Sequence, residues 1–392
     1  MVVVDGLGIG AAPDAVAFGD AGADTLASAA AALGGLRIPV LQRLGLGIVA
    51  RAVGLEPVRR PAARAGRLAE RSAATDSATG HRELMGLVTE TPPPTYPTGF
   101  PAHVMQGFAA ATGRGWLCNA PGSGTEVLER FGAEHMLTGA LIVYTSADSV
   151  FQVAAHEDVV PPRELYAACA AARGILTGSD AVDRVIARPF TGVPGGFTRT
   201  AGRRDLALPP RAPTALDALA GAGVATIGVG KVCQLMCGRG VAEDNPTRDD
   251  ADGVRIVREL VGDLDHGLVV ANLFELDTRF GHRRDPIGYG RHLEALDALL
   301  GGLLDTLRPD DLLILTADHG NDPGHAGSDH TREWVPMLAR VAGAEHDAAP
   351  WTGEFGDVGQ TVLAWFGVRA PAELAGRPVP LPPCGPVSRP GT

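Results

Sequence analysis

The chain has 392 residues, 45% hydrophobic and 20% charged, enough for one large domain carrying a smaller one. Its 34 basic and 45 acidic residues leave a net charge of −11, which argues against nucleic acid or an anionic membrane as the main partner. No apolar run is long enough to span a membrane, and Met1-Val-Val-Val-Asp5-Gly lacks the basic start and cleavage site of a signal peptide, so a cytoplasmic protein is expected. The five cysteines, Cys118, Cys169, Cys233, Cys237 and Cys384, are scattered and read as reduced, mostly buried thiols. Lys231 is the sole lysine among the 34 basic residues, which suggests a position where a compact ammonium serves and a planar guanidinium does not.

Val2-Val3-Val4 reads as a buried strand that stops at Asp5, followed by the glycines of Gly6-Leu-Gly8-Ile-Gly10. Their spacing and Pro13 do not fit a dinucleotide fingerprint. Residues 23–33 suit a helix. Thr75-Asp76-Ser77-Ala-Thr79-Gly80-His81 is a hydroxyl-rich loop entering a second helix, and a helix N-terminus is a natural phosphate site. A hydroxyl there, beside a metal, can become a nucleophile; capping by Ser77 or Thr79 is the plainer reading. The proline-rich run 91–101 reads as a linker. Beyond it lie a strand Leu141–Thr145, a helix 162–174 and a strand Arg184–Phe190, then a second proline-rich boundary at 208–213.

The α/β alternation then resumes. A helix at 214–221 precedes the strand Val224–Val229, which ends at Gly230-Lys231. The strand Gly267–Leu273 leads to Asp277 and His282, and leucines at 293, 296, 300, 303, 304 and 307 stripe a helix over 290–307. The apolar run 311–316 stops at Asp318-His319, with His330 after three glycines. A helix near 357–366 precedes a proline-rich tail, 371–391, that reads as mobile. Polar groups at the mouths of buried strands are poor for packing and good for a divalent cation. Asp5, Asp277, His282, Asp318, His319 and His330 supply six ligand-type side chains, enough for two ions with Ser77 between them, the arrangement that clamps a phosphoryl transfer.

The motifs VVVDGLGIGAAPDA (2–15), DSATGHRELMG (76–86), IVYTSADSVFQVAAHE (142–157), RVIARPF (184–190), GGFTRT (195–200), GHRRDPIGYG (281–290) and TADHGNDPGHAGSDHTRE (316–333) run in order along nearly the whole chain. In this the chain resembles the phosphopentomutases of the alkaline phosphatase superfamily. The resemblance implies an α/β fold: an alkaline-phosphatase-like core, 1–91 and 212–392, with a mostly parallel doubly wound sheet, and an inserted smaller α/β cap, 92–211, that binds substrate. It implies one manganese held by Asp277, His282 and His330, a second by Asp5, Asp318 and His319, and phosphorylation of Ser77. Ser146, Asp148, Val150, Arg184, Ile186 and Arg199 would hold a pentose phosphate, with Lys231 reaching in from the core. An activating sugar bisphosphate such as glucose 1,6-bisphosphate and a monomeric state are also expected. The family usually carries Lys-Asp-Thr where this chain has Thr75-Asp76-Ser77, Trp at Arg82 and Asp at Glu275. Those departures keep a sugar phosphatase, or a mutase on a different sugar phosphate, as the alternative activity.

Overall fold

The computed structural model describes residues 1–382 except 147, 148 and 328. The chain divides into two compact units, Met1–Thr91 with Pro210–Thr392, and Pro92–Pro209.

The first unit is organised by an eight-stranded sheet. Across the sheet the strands run Glu243–Asn245, Ala225–Val229, Gly267–Leu273, Val2–Val4, Leu312–Thr316, Val335–Val341, Arg64–Ala69 and Trp351–Glu354. Five of the seven pairings are parallel, so the sheet is mostly parallel as the α/β alternation predicts. Val335–Val341 is the exception, antiparallel to both neighbours. Sequence reasoning missed it because Pro336 argues against a central strand. The three strands that carry the site are neighbours. Val4 lies beside Leu273 and Val3 beside Thr316, so the chain leaves the sheet side by side at Asp5, Phe274 and Ala317.

Apart from the half-buried Gly267 and Leu312 that open two of them, these strands are buried, which is why they read as largely apolar runs. The leucine stripe falls on the helix Pro286–Leu304, with Leu293, Leu296, Leu300, Leu303 and Leu304 buried. That helix packs against the helices Thr25–Leu33, Pro39–Leu44 and Asp250–Asp263. Part of the tail departs from its mobile reading. Leu374 and Val379 are buried, and the Val379 and Arg377 amides donate to Thr361 Oγ1 and Asp357 Oδ1 at 2.9 and 2.6 Å. Residues 383–391 of the expected tail lie outside the described residues.

The second unit is built on a mixed sheet ordered Trp116–Pro121, Leu141–Thr145, Val150–His156, Arg184–Thr191 and Thr198–Arg199, with Arg204–Ala207 also paired to Arg184–Thr191. Its own core includes Phe151, whose ring meets those of Phe100 and Phe108. Of the described cysteines only Cys169 is buried, which corrects the expectation of mostly buried thiols; Cys384 lies outside the described residues. Among the described residues no helix is long and apolar enough to cross a membrane.

Candidate metal centre and nucleophile

Two groups of three ligand-type side chains converge where the central strands end. Asp5, Asp318 and His319 form one, wholly buried; Asp277, His282 and His330 form the other. In the first, His319 Nε2 lies 3.3 Å from Asp5 Oδ1 and 3.6 Å from Asp318 Oδ2. In the second, Asp277 Oδ2 is 3.4 Å from His282 Nε2, and Asp277 Oδ1 is 3.6 Å from His330 Nε2. Local backbone explains both. Gly6, at φ +79°, turns the chain directly after Asp5, and its amide donates to Asp318 Oδ1 at 3.2 Å. Leu276–Gly281 is a π-helical turn, and its five-residue closure brings His282 over Asp277. The His282 amide donates to the Asp277 carbonyl at 3.1 Å.

The imidazoles are oriented for ligation. His319 Nδ1 donates to the Gly320 carbonyl and His330 Nδ1 to the Thr75 carbonyl, each at 3.1 Å, which makes Nε2 the ligating atom once each ring is neutral. His330 Nε2 and His282 Nε2 face each other at 3.2 Å. His81 Nδ1 sits 3.1 Å from Asp318 Oδ2, but its hydrogen is directed at the Ser77 carbonyl, 2.8 Å away, so Asp318 Oδ2 is buried without a hydrogen-bond donor. An orphan carboxylate oxygen and opposed imidazole nitrogens fit a cation in each group.

Charge says the same. Burial, with Asp318 and Asp277 nearby, pushes Asp5 up to about 7. His319 would be lowered by burial, but Asp318, Asp5 and Asp277 outweigh that and raise it to about 9. Without a cation the excess negative charge is met by protons. Burial and the His319 charge lower His330 to about 4, so its ring is neutral and ligand-ready at neutral pH.

Ser77 stands at the start of the helix Ser77–Leu84, its Oγ 3.1 Å from His319 Nε2 and 3.5 Å from Asp5 Oδ1. The helix is capped by Asp76 and by neither hydroxyl expected from the sequence: Asp76 Oδ1 accepts from the Thr79 amide at 3.0 Å. Thr79 is buried and donates its hydroxyl to Asp76 Oδ2 at 2.6 Å, so it is committed to the cap. Gly80 lets this helix approach the strand end, for a Cβ there would stand 2.1 Å from the Asp318 carbonyl oxygen.

The sequence model of the Metalloenzyme superfamily matches residues 1–370. A phosphopentomutase of Anaeromyxobacter dehalogenans is 48% identical over 371 residues, 94% of this chain and 95% of that one. A phosphopentomutase of Carboxydothermus hydrogenoformans is 46% identical over 370 residues, with the same coverage. The chain belongs to the phosphopentomutase family. A solved protein structure from Pyrococcus horikoshii, 15% identical, matches with a TM-score of 0.50 over 93% of this chain and 96% of that one, a likeness of fold. The fold is α/β.

Against the phosphopentomutase pattern, the expected substrate residues are partly gathered. In the second unit Val150 pairs with Arg184, Ile186 follows two residues on, and Ser146 directly follows the neighbouring strand Leu141–Thr145, so these four share one end of that sheet. Arg199 pairs with Phe190, six residues along from Arg184, about 20 Å away at strand spacing. Its guanidinium reaches back to the Tyr144 hydroxyl, on which Arg188 and Arg203 also act. Arg188 and Arg203 were not among the expected ligands. Asp148 lies outside the described residues. In the first unit Lys231 Nζ lies 4.6 Å from the Phe274 ring centroid, and its charge acts on Asp5.

A third group, Asp250, Glu275 and His292, was not foreseen. Asp250 and Glu275 accept each other's amides at 3.2 and 2.9 Å, and His292 Nε2 lies 2.9 Å from Asp250 Oδ2. With Arg279 also paired to Glu275, the group staples helix Asp250–Asp263 to the turn that presents Asp277. Also unforeseen is Arg332, buried, whose guanidinium meets Glu70 Oε2, the Ser72 carbonyl and Thr75 Oγ1 at 2.7, 2.8 and 3.3 Å, and so shapes the loop entering Ser77. In this chain Thr75 is part of that web, donating to Glu70 Oε2 at 3.1 Å.

Proposed function

We propose that this enzyme moves a phosphoryl group between C1 and C5 of a pentose, ribose or deoxyribose, through a phosphorylated Ser77. The observation that carries the reading is Ser77 Oγ within 3.5 Å of Asp5 and His319, at a helix start beside two three-ligand groups. Phospho-Ser77 passes its phosphoryl group to the free hydroxyl of the sugar phosphate; the P–Oγ bond breaks, the sugar O–P bond forms, and the proton the sugar hydroxyl loses is regained as the Ser77 hydroxyl. The product is a sugar bisphosphate. It turns end for end, and its other phosphoryl group returns to Ser77, so the enzyme ends phosphorylated and the sugar isomerised. Two divalent cations, Mn²⁺ by family resemblance, held by Asp5, Asp318 and His319 and by Asp277, His282 and His330, would supply positive charge to the phosphoryl group in flight and acidify the attacking hydroxyl.

The chain's own residues do the rest. The helix that starts at Ser77 would turn its positive dipole end to the phosphoryl oxygens. The Thr75 carbonyl, through His330, ties the nucleophile's loop to the second group of ligands. In the second unit Ser146, Asp148, Val150, Arg184, Ile186 and Arg199 are the residues that would hold the pentose phosphate; in the first, Lys231 adds positive charge near Asp5. A sugar bisphosphate such as glucose 1,6-bisphosphate loads Ser77 at the start. The test is mass spectrometry of the protein after exposure to Mn²⁺ and glucose 1,6-bisphosphate. One phosphate on the peptide bearing Ser77, absent in Ser77→Ala, is expected; phosphate on Thr79, or none, contradicts the assignment.

A further inference from the structure

We propose that two buried asparagines, Asn272 and Asn321, are positioning residues, each holding the aspartate of one ligand group so that a single oxygen is offered to a cation. The inference rests on the two-cation reading above and assigns residues that reading does not use.

Asn272 is 1% exposed, in the central strand Gly267–Leu273, beside Val3. An apolar side chain would be ordinary there. Instead its Nδ2 donates to Asp5 Oδ2 at 2.9 Å and lies 3.4 Å from His81 Nε2. The Ser77 carbonyl can only accept, which puts a hydrogen on His81 Nδ1; in the neutral ring Nε2 is then an acceptor facing the second amide hydrogen. Asn272 Oδ1 is buried with no partner. Reversing the amide would turn that oxygen onto a carboxylate, so the donor side is fixed and the orphan carbonyl is the cost of keeping it.

Asn321 repeats the arrangement at the other group. It is 1% exposed, and its Nδ2 donates to Asp277 Oδ1 at 2.7 Å. Its amide donates to Thr25 Oγ1 at 3.1 Å, and Thr25 is fixed by Glu333 at 2.6 Å. Gly281 makes the room: a Cβ there would lie 2.6 Å from Asn321 Cγ.

The oxygens are divided alike in the two groups. Asn272 takes Asp5 Oδ2, leaving Oδ1 toward His319; Asn321 takes Asp277 Oδ1, the oxygen 3.6 Å from His330 Nε2, leaving Oδ2 toward His282. A neutral amide fixes the carboxylate without cancelling the charge a cation needs, which a lysine or arginine would do. Outer partners of this kind change metal affinity about 10- to 100-fold when removed.

The experiment is calorimetric titration of the metal-freed full chain with Mn²⁺. The unaltered protein comes first, and fewer than two binding events would sink the two-cation reading itself. Asn272→Leu and Asn321→Leu, close in volume but without donors, are then each combined with His282→Ala, which leaves the Asp5 group to be read, or with His319→Ala, which leaves the Asp277 group. Asn272→Leu should weaken binding about 10- to 100-fold beside His282→Ala and change it less than about threefold beside His319→Ala; Asn321→Leu should do the reverse. A loss of packing alone would weaken both groups together. Equal losses, or none, with two ions bound by the unaltered protein, would overturn the inference and leave the function standing. Should a leucine variant fail to fold in chelator, the smaller Asn→Ser variant gives the same reading.

Discussion

Replacing Arg332 by methionine should cost more stability than any surface ion pair of this chain. Arg332 is 1% exposed and meets Glu70 Oε2 at 2.7 Å; the Glu70 side chain is 2% exposed. Removing one partner of a buried pair leaves the other charge uncompensated, a loss of about 3–5 kcal/mol. The Asp14 contact at 2.9 Å adds little, because that carboxylate is half exposed and screened. For a unit of this size the loss corresponds to a fall in Tm of about 6–10 °C. It should also depend on pH. Burial already raises Glu70 well above the usual carboxylate range, and without Arg332 it rises further. The variant's native state then holds a proton that the unfolded chain releases above about pH 4.5. Its stability therefore falls as pH rises, and the deficit is larger at pH 8 than at pH 5. Scanning calorimetry in chelator at both values, with the exposed Arg248→Met as control, gives the measurement. A Tm within about 2 °C of the unaltered protein would refute the reasoning.

Three further outcomes follow from the site. Ser77→Ala should lower sugar-phosphate isomerisation at least about 10³-fold, while Ser77→Thr, which keeps the hydroxyl, stays within about tenfold in coupled assays. Gly80→Ala drives a methyl against the Asp318 carbonyl, so it should displace the nucleophile helix and reduce both isomerisation and Mn²⁺ binding; unchanged values would mean the approach is looser than 2.1 Å. His319, raised to about 9, is protonated in the metal-free protein at pH 7 and must lose that proton to ligate. Mn²⁺ binding should therefore release protons, seen as a dependence of the calorimetric heat on buffer, and affinity should rise with pH up to about 9. In chelator the same group stabilises the fold fully below about pH 6.5, and this is lost as pH rises toward 9. A buffer-independent heat would contradict this.

Four strands of the sheet, Val2–Val4, Ala225–Val229, Gly267–Leu273 and Leu312–Thr316, were legible as short apolar runs, and the six proposed ligand positions because such runs ended abruptly in carboxylate or imidazole, which nothing in packing explains. Asp5, Asp277 and Asp318-His319 announce themselves in that way. Asn272 does not: one amide inside the run Val-Val-Ala-Asn-Leu looks like a flaw in a strand, and its meaning depends on which strand lies alongside. Asn321 stood inside the most conspicuous motif and was overshadowed by the aspartates and histidines around it. Arg332 and Glu70 are separated by 262 residues, so their pairing is a fact of tertiary structure. The π-helical turn that brings His282 over Asp277 has no composition of its own, and Val335–Val341 was hidden by its proline.

The central claim is a phosphoryl transfer that keeps phosphate on the sugar. Phosphorus NMR of the purified protein with Mn²⁺, a trace of glucose 1,6-bisphosphate and ribose 5-phosphate tests it most directly. The account predicts a growing ribose 1-phosphate signal with no inorganic phosphate. Inorganic phosphate alone would show a hydrolase in place of a mutase, and an unchanged spectrum with metal bound would remove ribose as the substrate.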